Sequence, residues 1–223
     1  TLLRDFWPEI KLVLQGGIPK LVLMAEFAAD TDEEARQMAV AAEKTIQSFG
    51  LATHITATQS EANKFWTIRR ESFKLLRENV SDKHTAPFID DFVVRPEYLP
   101  EFLPRLYAIL DEYNLLYTVA GHVGDGNFHI IPLMDFTRPD FVKIVNELSD
   151  RVYTLVGEYH GSITGEHNDG LIRTPYLYKM FNPEILNVFQ EIKEIFDPHR
   201  IFNPHKKVDP KIEYLHTAIK KHS

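Results

Sequence analysis

The chain has 223 residues, of which 44% are hydrophobic and 26% are charged, and its 25 basic and 32 acidic side chains give a net charge of −7. A chain of this length and composition can bury the core of a globular domain. The acidic balance disfavours nucleic acid and anionic membrane surfaces as partners, since both select clustered Lys and Arg.

Cysteine is absent, which excludes disulfides and any iron–sulfur cluster held by this chain. We therefore expect a reducing, cytoplasmic compartment, and peripheral attachment to an inner membrane through partner subunits stays open. The sequence contains no apolar run of about 18 residues or more, so it predicts no membrane-spanning helix. No Gly-rich loop opens a helix, so a phosphate-binding loop for a dinucleotide is not expected in this chain.

The first half of the chain alternates apolar runs of strand type with amphipathic runs of helix type. The first helix has the clearest boundaries, because Thr31 and Glu34 form a capping box at its start and Gly50 ends it. The other predicted elements here are strands over residues 19–27, 53–57 and 88–94, a helix that begins at Ser60, and a helix over residues 96–110.

The next predicted element is a β-hairpin that carries two histidines. A Gly-Asp-Gly turn at residues 124–126 lies between two apolar runs, which is the residue chemistry of a tight reversal. If residues 123–126 form the loop, His122 pairs with Asn127, and His129 lies on the same face about 7–8 Å away at Cα. The two rings can then converge on one metal ion or one substrate atom.

A second group of polar side chains follows a long helix predicted over residues 139–159. Residues 161–170 read Gly-Ser-Ile-Thr-Gly-Glu-His-Asn-Asp-Gly, which predicts an ordered loop. In an extended backbone Glu166 and His167 point to opposite sides, so one can bind a metal while the other faces a different reactant.

Two further helical segments are predicted over residues 175–180 and 183–195. The hairpin requires antiparallel pairing, so the predicted fold class is α+β: an antiparallel sheet with helices packed on one face, followed by a helical C-terminal segment.

Each candidate residue also has a plainer interpretation. His122 and His129 could be hydrogen-bonded only to their neighbours, and Glu166 could pair with a surface cation. The adjacent carboxylates Asp90 and Asp91 are interpreted as a hydrogen-bonding device at a strand end in preference to an acid–base dyad.

Three motifs together resemble a known family. Residues 121–129 match Gly-His-x-Gly-Asp-Gly-Asn-x-His, residues 161–167 match Gly-Ser/Thr-Ile-x-x-Glu-His, and residues 197–204 match Asp-Pro-x-x-Ile-Phe-Asn-Pro. In this order they resemble the C-terminal (cap and substrate) domain of the FAD-linked oxidases that act on D-2-hydroxy acids, of the D-lactate dehydrogenase, glycolate oxidase large subunit and D-2-hydroxyglutarate dehydrogenase type. The resemblance spans about residues 19–208.

The resemblance implies a ferredoxin-like cap domain over residues 19–223, which carries the substrate and metal sites. It implies that residues 1–18 are a linker from an N-terminal FAD-binding domain that is missing from this chain. Further implied partners are a 2-hydroxy-acid substrate, an electron-acceptor subunit and further copies in a homo-oligomer. The chain alone is expected to be inactive.

The resemblance also implies roles for individual residues. The expected ligands of a divalent metal are His122, His129 and Glu166, and two nitrogens with one oxygen suit Zn²⁺, Mn²⁺ or Fe²⁺. His167 is the expected catalytic base. The remaining implied roles are substrate-carboxylate binding by Arg69, with adjacent Arg70 as the alternative, and contact with the FAD by Asn203 and Lys206.

The expected reaction is the metal-assisted oxidation of a D-2-hydroxy acid, D-lactate or glycolate-like, to the 2-oxo acid. The chain differs from the family at Asn168 and Asp169, where members often have Gly-Ile, and at His205, where they often have Gly. It also has Ile89 where hydroxyglutarate-type members place a carboxylate-binding lysine. Two other functions remain open: a non-catalytic metal-binding or subunit-interaction module, and a metal-assisted hydrolase that uses the same two histidines and glutamate.

Overall fold

The computed structural model describes residues 21–79 and 83–221 and divides the chain into two compact units, Thr1–Asn79 and Val80–Ser223. The predicted linker over residues 1–18 lies outside the described residues. Among the described residues, no helix combines the length and the hydropathy that crossing a membrane requires.

The described residues of the first unit form the helices α1 (Asp32–Gln47) and α2 (Gln59–Asn79). The predicted N-cap is confirmed, since Thr31 Oγ1 accepts the Glu34 N–H at 3.3 Å, and the return bond of the box joins Glu34 Oε2 to the Thr31 hydroxyl at 3.0 Å. Gly50 has a φ of +72°, and its N–H bonds the carbonyl of Gln47 at 2.9 Å, so the chain leaves the helix where predicted.

Two strand predictions in the first unit are wrong. Residues 21–27 and 53–57 contain no strand, and residues 19 and 20 lie outside the described part of the chain. The apolar side chains of the first run are largely exposed, Leu21 at 59% and Leu23 at 66%. Residues of high β propensity form a strand only when a neighbouring strand completes the hydrogen-bond ladder. Neither run has such a partner strand among the described residues of this unit.

The second unit is built on a four-stranded antiparallel sheet, which together with the helices confirms the α+β prediction. The last strand is central, because it pairs with each of the other three. The strands are β1 (His84–Thr85), β2 (Ile89–Val93), β3 (Leu116–His122) and β4 (Asn127–Met134).

Helix α3 (Leu99–Asp111) packs on helix α4 (Phe141–Glu158), which itself packs against β2. Helix α3 also reaches the sheet through Phe102, whose ring contacts that of Phe92. A 3₁₀ turn, Pro96–Tyr98, leads into α3. The core between sheet and helices is aromatic and aliphatic, with Phe88, Phe92, Phe102, Leu148 and Tyr153 all 0% exposed. The Tyr153 hydroxyl donates to the carbonyl of Phe88 at 2.6 Å, so the one polar group of that side chain is satisfied inside the core.

The C-terminal segment is helical, as predicted. It consists of α5 (Gly170–Arg173), a 3₁₀ helix (Thr174–Lys179), α6 (Pro183–Phe196) and α7 (Ile212–Lys221). Asn182 caps α6, since its Oδ1 accepts the Ile185 N–H at 3.0 Å. The last helix was not predicted, although Leu215 and Ile219, both buried, have the spacing of a helix face.

The hairpin has the predicted register. His122 pairs with Asn127 and Ala120 pairs with His129, while a single 3₁₀ turn over Val123–Asp125 connects the strands. Gly126 closes the turn with a φ of +69°, and its carbonyl accepts the Val94 N–H at 3.0 Å. Local turn chemistry therefore fixes the positions of both histidines.

We expect Gly126→Ala to destabilise the second unit strongly. A Cβ at this position would lie 1.7 Å from the carbonyl oxygen of Val94, and the left-handed backbone alone costs roughly 1–3 kcal/mol for a residue with a side chain. Gly124→Ala is the matched control, because a Cβ there meets no atom within 4 Å. Urea unfolding of both variants tests this, and equal losses of unfolding free energy would contradict it.

Candidate metal centre

A β-bulge in β2 brings two carboxylates to one histidine. Ile89 pairs with Ile130 and Phe92 pairs with Phe128, so Asp90 and Asp91 together lie opposite His129 alone. Adjacent side chains of a regular strand point to opposite faces, whereas a bulge redirects them. Asp91 accordingly has a φ of +65°, and both carboxylates contact the residues of the candidate centre.

The carboxylate of Asp91 is 0% exposed and is surrounded by donors. Its Oδ1 accepts the Glu166 N–H at 3.0 Å and the Asn127 amide at 3.1 Å, and its Oδ2 accepts the N–H groups of His167 at 2.9 Å and Gly165 at 3.1 Å. Burial acts to raise the pKa of Asp91, but these hydrogen bonds outweigh it and hold the pKa below its ordinary value. Asp91 is therefore a buried anion around which the Glu-His loop folds.

The loop places Glu166 among three imidazoles. Glu166 Oε1 lies 3.0 Å from Nε2 of His129, 3.3 Å from Nε2 of His122 and 3.5 Å from Nε2 of His167. The expectation that Glu166 and His167 face opposite sides is wrong, because the loop is bent around Asp91 and is not extended. Their side chains converge on the same point.

His129 is held from both sides. Its Nδ1 is 2.9 Å from Asp90 Oδ1, and its ring stacks on that of His167 with 4.8 Å between centroids. The hydrogen bond to Asp90 raises the pKa of His129 above its ordinary value, against the effect of burial. With Nδ1 engaged by a carboxylate, Nε2 is the atom that faces Glu166.

This arrangement fits a divalent metal ion. The candidate ligand atoms of Asp91, His129, Glu166 and His167 lie within 4.8 Å of one another. The predicted ligand His122 also reaches the cluster, through its 3.3 Å contact with Glu166. Imidazole nitrogens around a carboxylate oxygen are the donor set of Zn²⁺ and related transition metals. The carboxylates of Asp90, Asp91 and Glu166 also lie close together, and their negative charges favour a cation at this point.

The other predicted site residues belong to other parts of the chain. Arg69 belongs to the first unit, where its guanidinium lies 5.6 Å from the centroid of the Trp66 ring. The neighbouring Arg70 donates to Thr67 Oγ1 at 3.4 Å. Asn203 and Lys206 are exposed on the terminal turn, where the lysine amine donates to the asparagine Oδ1 at 3.2 Å. Their substrate and flavin roles stay predictions.

Sequence reasoning missed one residue of the centre and assigned two others only a local role. Asp90 and Asp91 are hydrogen-bonding residues, as interpreted, but their contacts reach His129 and the Glu-His loop as well as the strand end. Arg173, 6% exposed, was not singled out; it donates to the carbonyl oxygens of Asp90 at 3.0 Å and Asn168 at 3.1 Å. No local pattern marks an arginine that follows Gly-Leu-Ile as a link between a strand and a loop.

Comparison with known proteins gives a family match. Residues 19–207 match the family model described as FAD linked oxidases, C-terminal domain. The chain is 32% identical over 191 residues to a D-2-hydroxyglutarate dehydrogenase of Pseudomonas putida, which covers 84% of this chain and 19% of the relative.

Two further relatives carry other names. A D-lactate dehydrogenase of Anaerostipes hadrus is 28% identical over 197 residues, which is 86% of this chain and 40% of the relative. The glycolate oxidase subunit GlcD of Escherichia coli is 29% identical over 159 residues, which is 70% of this chain and 31% of the relative. The chain thus spans well under half the length of these curated relatives.

Proposed function

Because the chain belongs to the family of FAD-linked oxidase C-terminal domains, we propose that it is the substrate and metal domain of an FAD-dependent dehydrogenase that oxidises a D-2-hydroxy acid to the 2-oxo acid. Relatives named for hydroxyglutarate, lactate and glycolate support this substrate class, since all three acids carry a hydroxyl beside a carboxylate. The activity belongs to a longer enzyme of which this chain is one part.

The observation that carries the proposal is the position of Glu166 Oε1 within 3.5 Å of three imidazole nitrogens. His122, His129 and Glu166 would hold a Zn²⁺, Mn²⁺ or Fe²⁺ ion. When bound, the metal supplies Lewis acidity that lowers the pKa of the substrate hydroxyl, and the FAD accepts the hydride.

His167 is proposed as the base. Its side chain is 51% exposed and its Nε2 lies 3.5 Å from Glu166 Oε1, so it can meet a substrate that enters beside the metal. The hydroxyl proton passes to His167 while the C–H bond at Cα breaks with its electron pair and the C=O bond forms. His167 thus takes the proton, and the electron pair of the C–H bond leaves with the hydride to the FAD.

The remaining roles complete the proposal. Arg69, or Arg70 beside it, binds the substrate carboxylate, for which a guanidinium is the suited group. Asn203 and Lys206 contact the flavin. The proposed partners are an N-terminal FAD domain, an electron-acceptor subunit and further copies of the enzyme in a homo-oligomer.

The identity of the acid is a finer proposal. Ile89 is 0% exposed in the core, at the position where the resemblance puts a carboxylate-binding lysine. We therefore propose a monocarboxylate substrate, D-lactate or a glycolate-like acid, in preference to D-2-hydroxyglutarate. The test is to compare kcat/KM for the three acids in the full enzyme. Substrate-dependent flavin reduction by D-lactate or glycolate supports the proposal, and no reduction by any 2-hydroxy acid would favour a metal-binding module or a hydrolase.

The chain by itself is expected to bind no FAD tightly and to oxidise no D-lactate. The expectation rests on the role proposed for the chain. In that role a separate domain holds the FAD, and this chain contributes only its terminal turn to the flavin site. Titrating the purified chain with FAD and assaying with D-lactate checks this. Tight stoichiometric FAD binding would show that the division between the two domains is wrong.

A further inference from the structure

The two carboxylates of the β2 bulge make contacts that the proposed reaction does not use. From these contacts we propose that Asp90 and Asp91 are positioning residues for the metal centre and that neither binds the metal. Asp90 acts through the ring of His129, and Asp91 acts through the backbone that carries Glu166 and His167. The inference rests on the proposed metal centre and assigns two further residues to it.

Asp91 has no free oxygen to offer a metal. Each of its oxygens accepts two hydrogen bonds of 3.1 Å or less, three of them from consecutive N–H groups of residues 165–167. Thr164 Oγ1 and the Arg173 guanidinium lie at 3.5 and 3.6 Å from Oδ2. A metal bond would strip donors from a carboxylate that is 0% exposed, and buried N–H groups without an acceptor are costly. Asp91 therefore lies near the proposed ligand atoms because it holds the loop that carries Glu166.

Asp90 contacts the opposite end of the His129 ring from the metal position. Its Oδ1 is 2.9 Å from Nδ1, while Nε2 of the same ring points to Glu166 at 3.0 Å. A carboxylate that accepts the Nδ1 hydrogen fixes both the tautomer and the ring orientation of a ligating histidine, and losing such a partner weakens metal binding by roughly 10–100-fold.

The bulge makes this division of roles possible. In a regular strand one of two adjacent carboxylates would point away from His129, whereas the extra residue and the positive φ of Asp91 let both contact the centre. Arg173 ties the same region together, because it bonds the Asp90 carbonyl and the Asn168 carbonyl at the far end of the loop. The strand thus supplies a fixed frame for the loop that carries the proposed ligand Glu166 and the proposed base His167.

The first experiment measures zinc binding to the chain by competition with a chromophoric chelator. Asp90→Asn should retain one zinc per chain with an affinity lower by roughly 10–100-fold. Asp111→Asn is the matched control, since this carboxylate is exposed at the end of α3, and it should bind as the wild type does. In the zinc-loaded wild type the Nδ1 proton of His129 should give a slowly exchanging NMR signal, which Asp90→Asn should weaken or shift.

The second experiment measures amide hydrogen exchange in the loop without any substrate. In Asp91→Asn the N–H groups of Glu166 and His167 should exchange faster by roughly 10–100-fold, the effect of losing a hydrogen bond to a charged group. The Gly165 N–H should stay protected, because it also bonds the Asp91 backbone carbonyl at 2.8 Å. Asp90→Asn should leave all three unchanged.

If Asp91→Asn does not fold, Gly165→Ala tests the same contact from the loop. A Cβ on Gly165 would lie 2.9 Å from Asp91 Oδ1 and 2.5 Å from the Asn127 amide nitrogen, so a shift of the loop or of these side chains must disturb the contact between them. Faster exchange at Glu166 and His167 in either variant supports the proposal. Unchanged exchange, or equal zinc affinity of Asp90→Asn and wild type, overturns the positioning roles, whereas a wild-type chain that binds no zinc contradicts the metal centre itself.

Discussion

His129→Ala in the full enzyme is expected to lose the metal and nearly all activity. His129 is 9% exposed and its Nε2 faces Glu166 at 3.0 Å, so the substitution removes the more buried of the two proposed nitrogen ligands. A metal acting as a Lewis acid supplies several kcal/mol of transition-state stabilisation, which predicts a fall in kcat of about 10³-fold or more. Elemental analysis and steady-state kinetics measure the two effects.

A histidine outside the centre provides the control for this variant. His84 lies on β1 of the same sheet and stacks on Phe136 with 5.2 Å between ring centroids. His84→Ala should keep a full equivalent of metal and most of the activity. Full metal content in His129→Ala would show that His129 does not bind the metal.

His167→Ala is expected to lower kcat by about 10²–10⁴-fold, the usual contribution of a general base, and to leave the metal content intact. The side chain is half exposed, and the 2.9 Å contact between Nδ1 of His129 and Asp90 Oδ1 still holds the His129 ring when the stacked His167 ring is removed. The contrast between the two variants separates a lost ligand from a lost base.

The structure makes this contrast a demanding test. His167 Nε2 is only 0.2 Å farther from Glu166 Oε1 than His122 Nε2 is, 3.5 against 3.3 Å. If His167→Ala loses metal as readily as His129→Ala, His167 is a ligand and another residue removes the proton. A loss of metal from His122→Ala, with metal retained in His167→Ala, is the result that the proposed division of roles requires.

The parts of the fold that the sequence predicted well are set by local chemistry. The hairpin register follows from the Gly-Asp-Gly turn, and the start of α1 follows from Thr31 and Glu34, three residues apart. The strands over residues 19–27 and 53–57 were predicted from composition alone. A strand depends on a partner elsewhere in the chain, and such a partner cannot be read from the run itself.

The candidate site shows the same limit. His122 and His129 were placed correctly because one turn positions both of them. The prediction that Glu166 and His167 face opposite sides was wrong, because the loop is shaped by Asp91, about 75 residues earlier in the chain. The bulge that aims Asp90 and Asp91 leaves no local pattern, since it arises from an extra residue against β4.

A crystal structure of the zinc-soaked chain, with anomalous data at the zinc edge, tests most directly whether His122, His129 and Glu166 bind one divalent metal ion. One anomalous peak is expected at about 2.0–2.2 Å from both histidine Nε2 atoms and from Glu166 Oε1, with Asp91 still bonded to the N–H groups of residues 165–167. An ordered site with no peak among these side chains, or a peak bonded to Asp91 in place of His122, would contradict it.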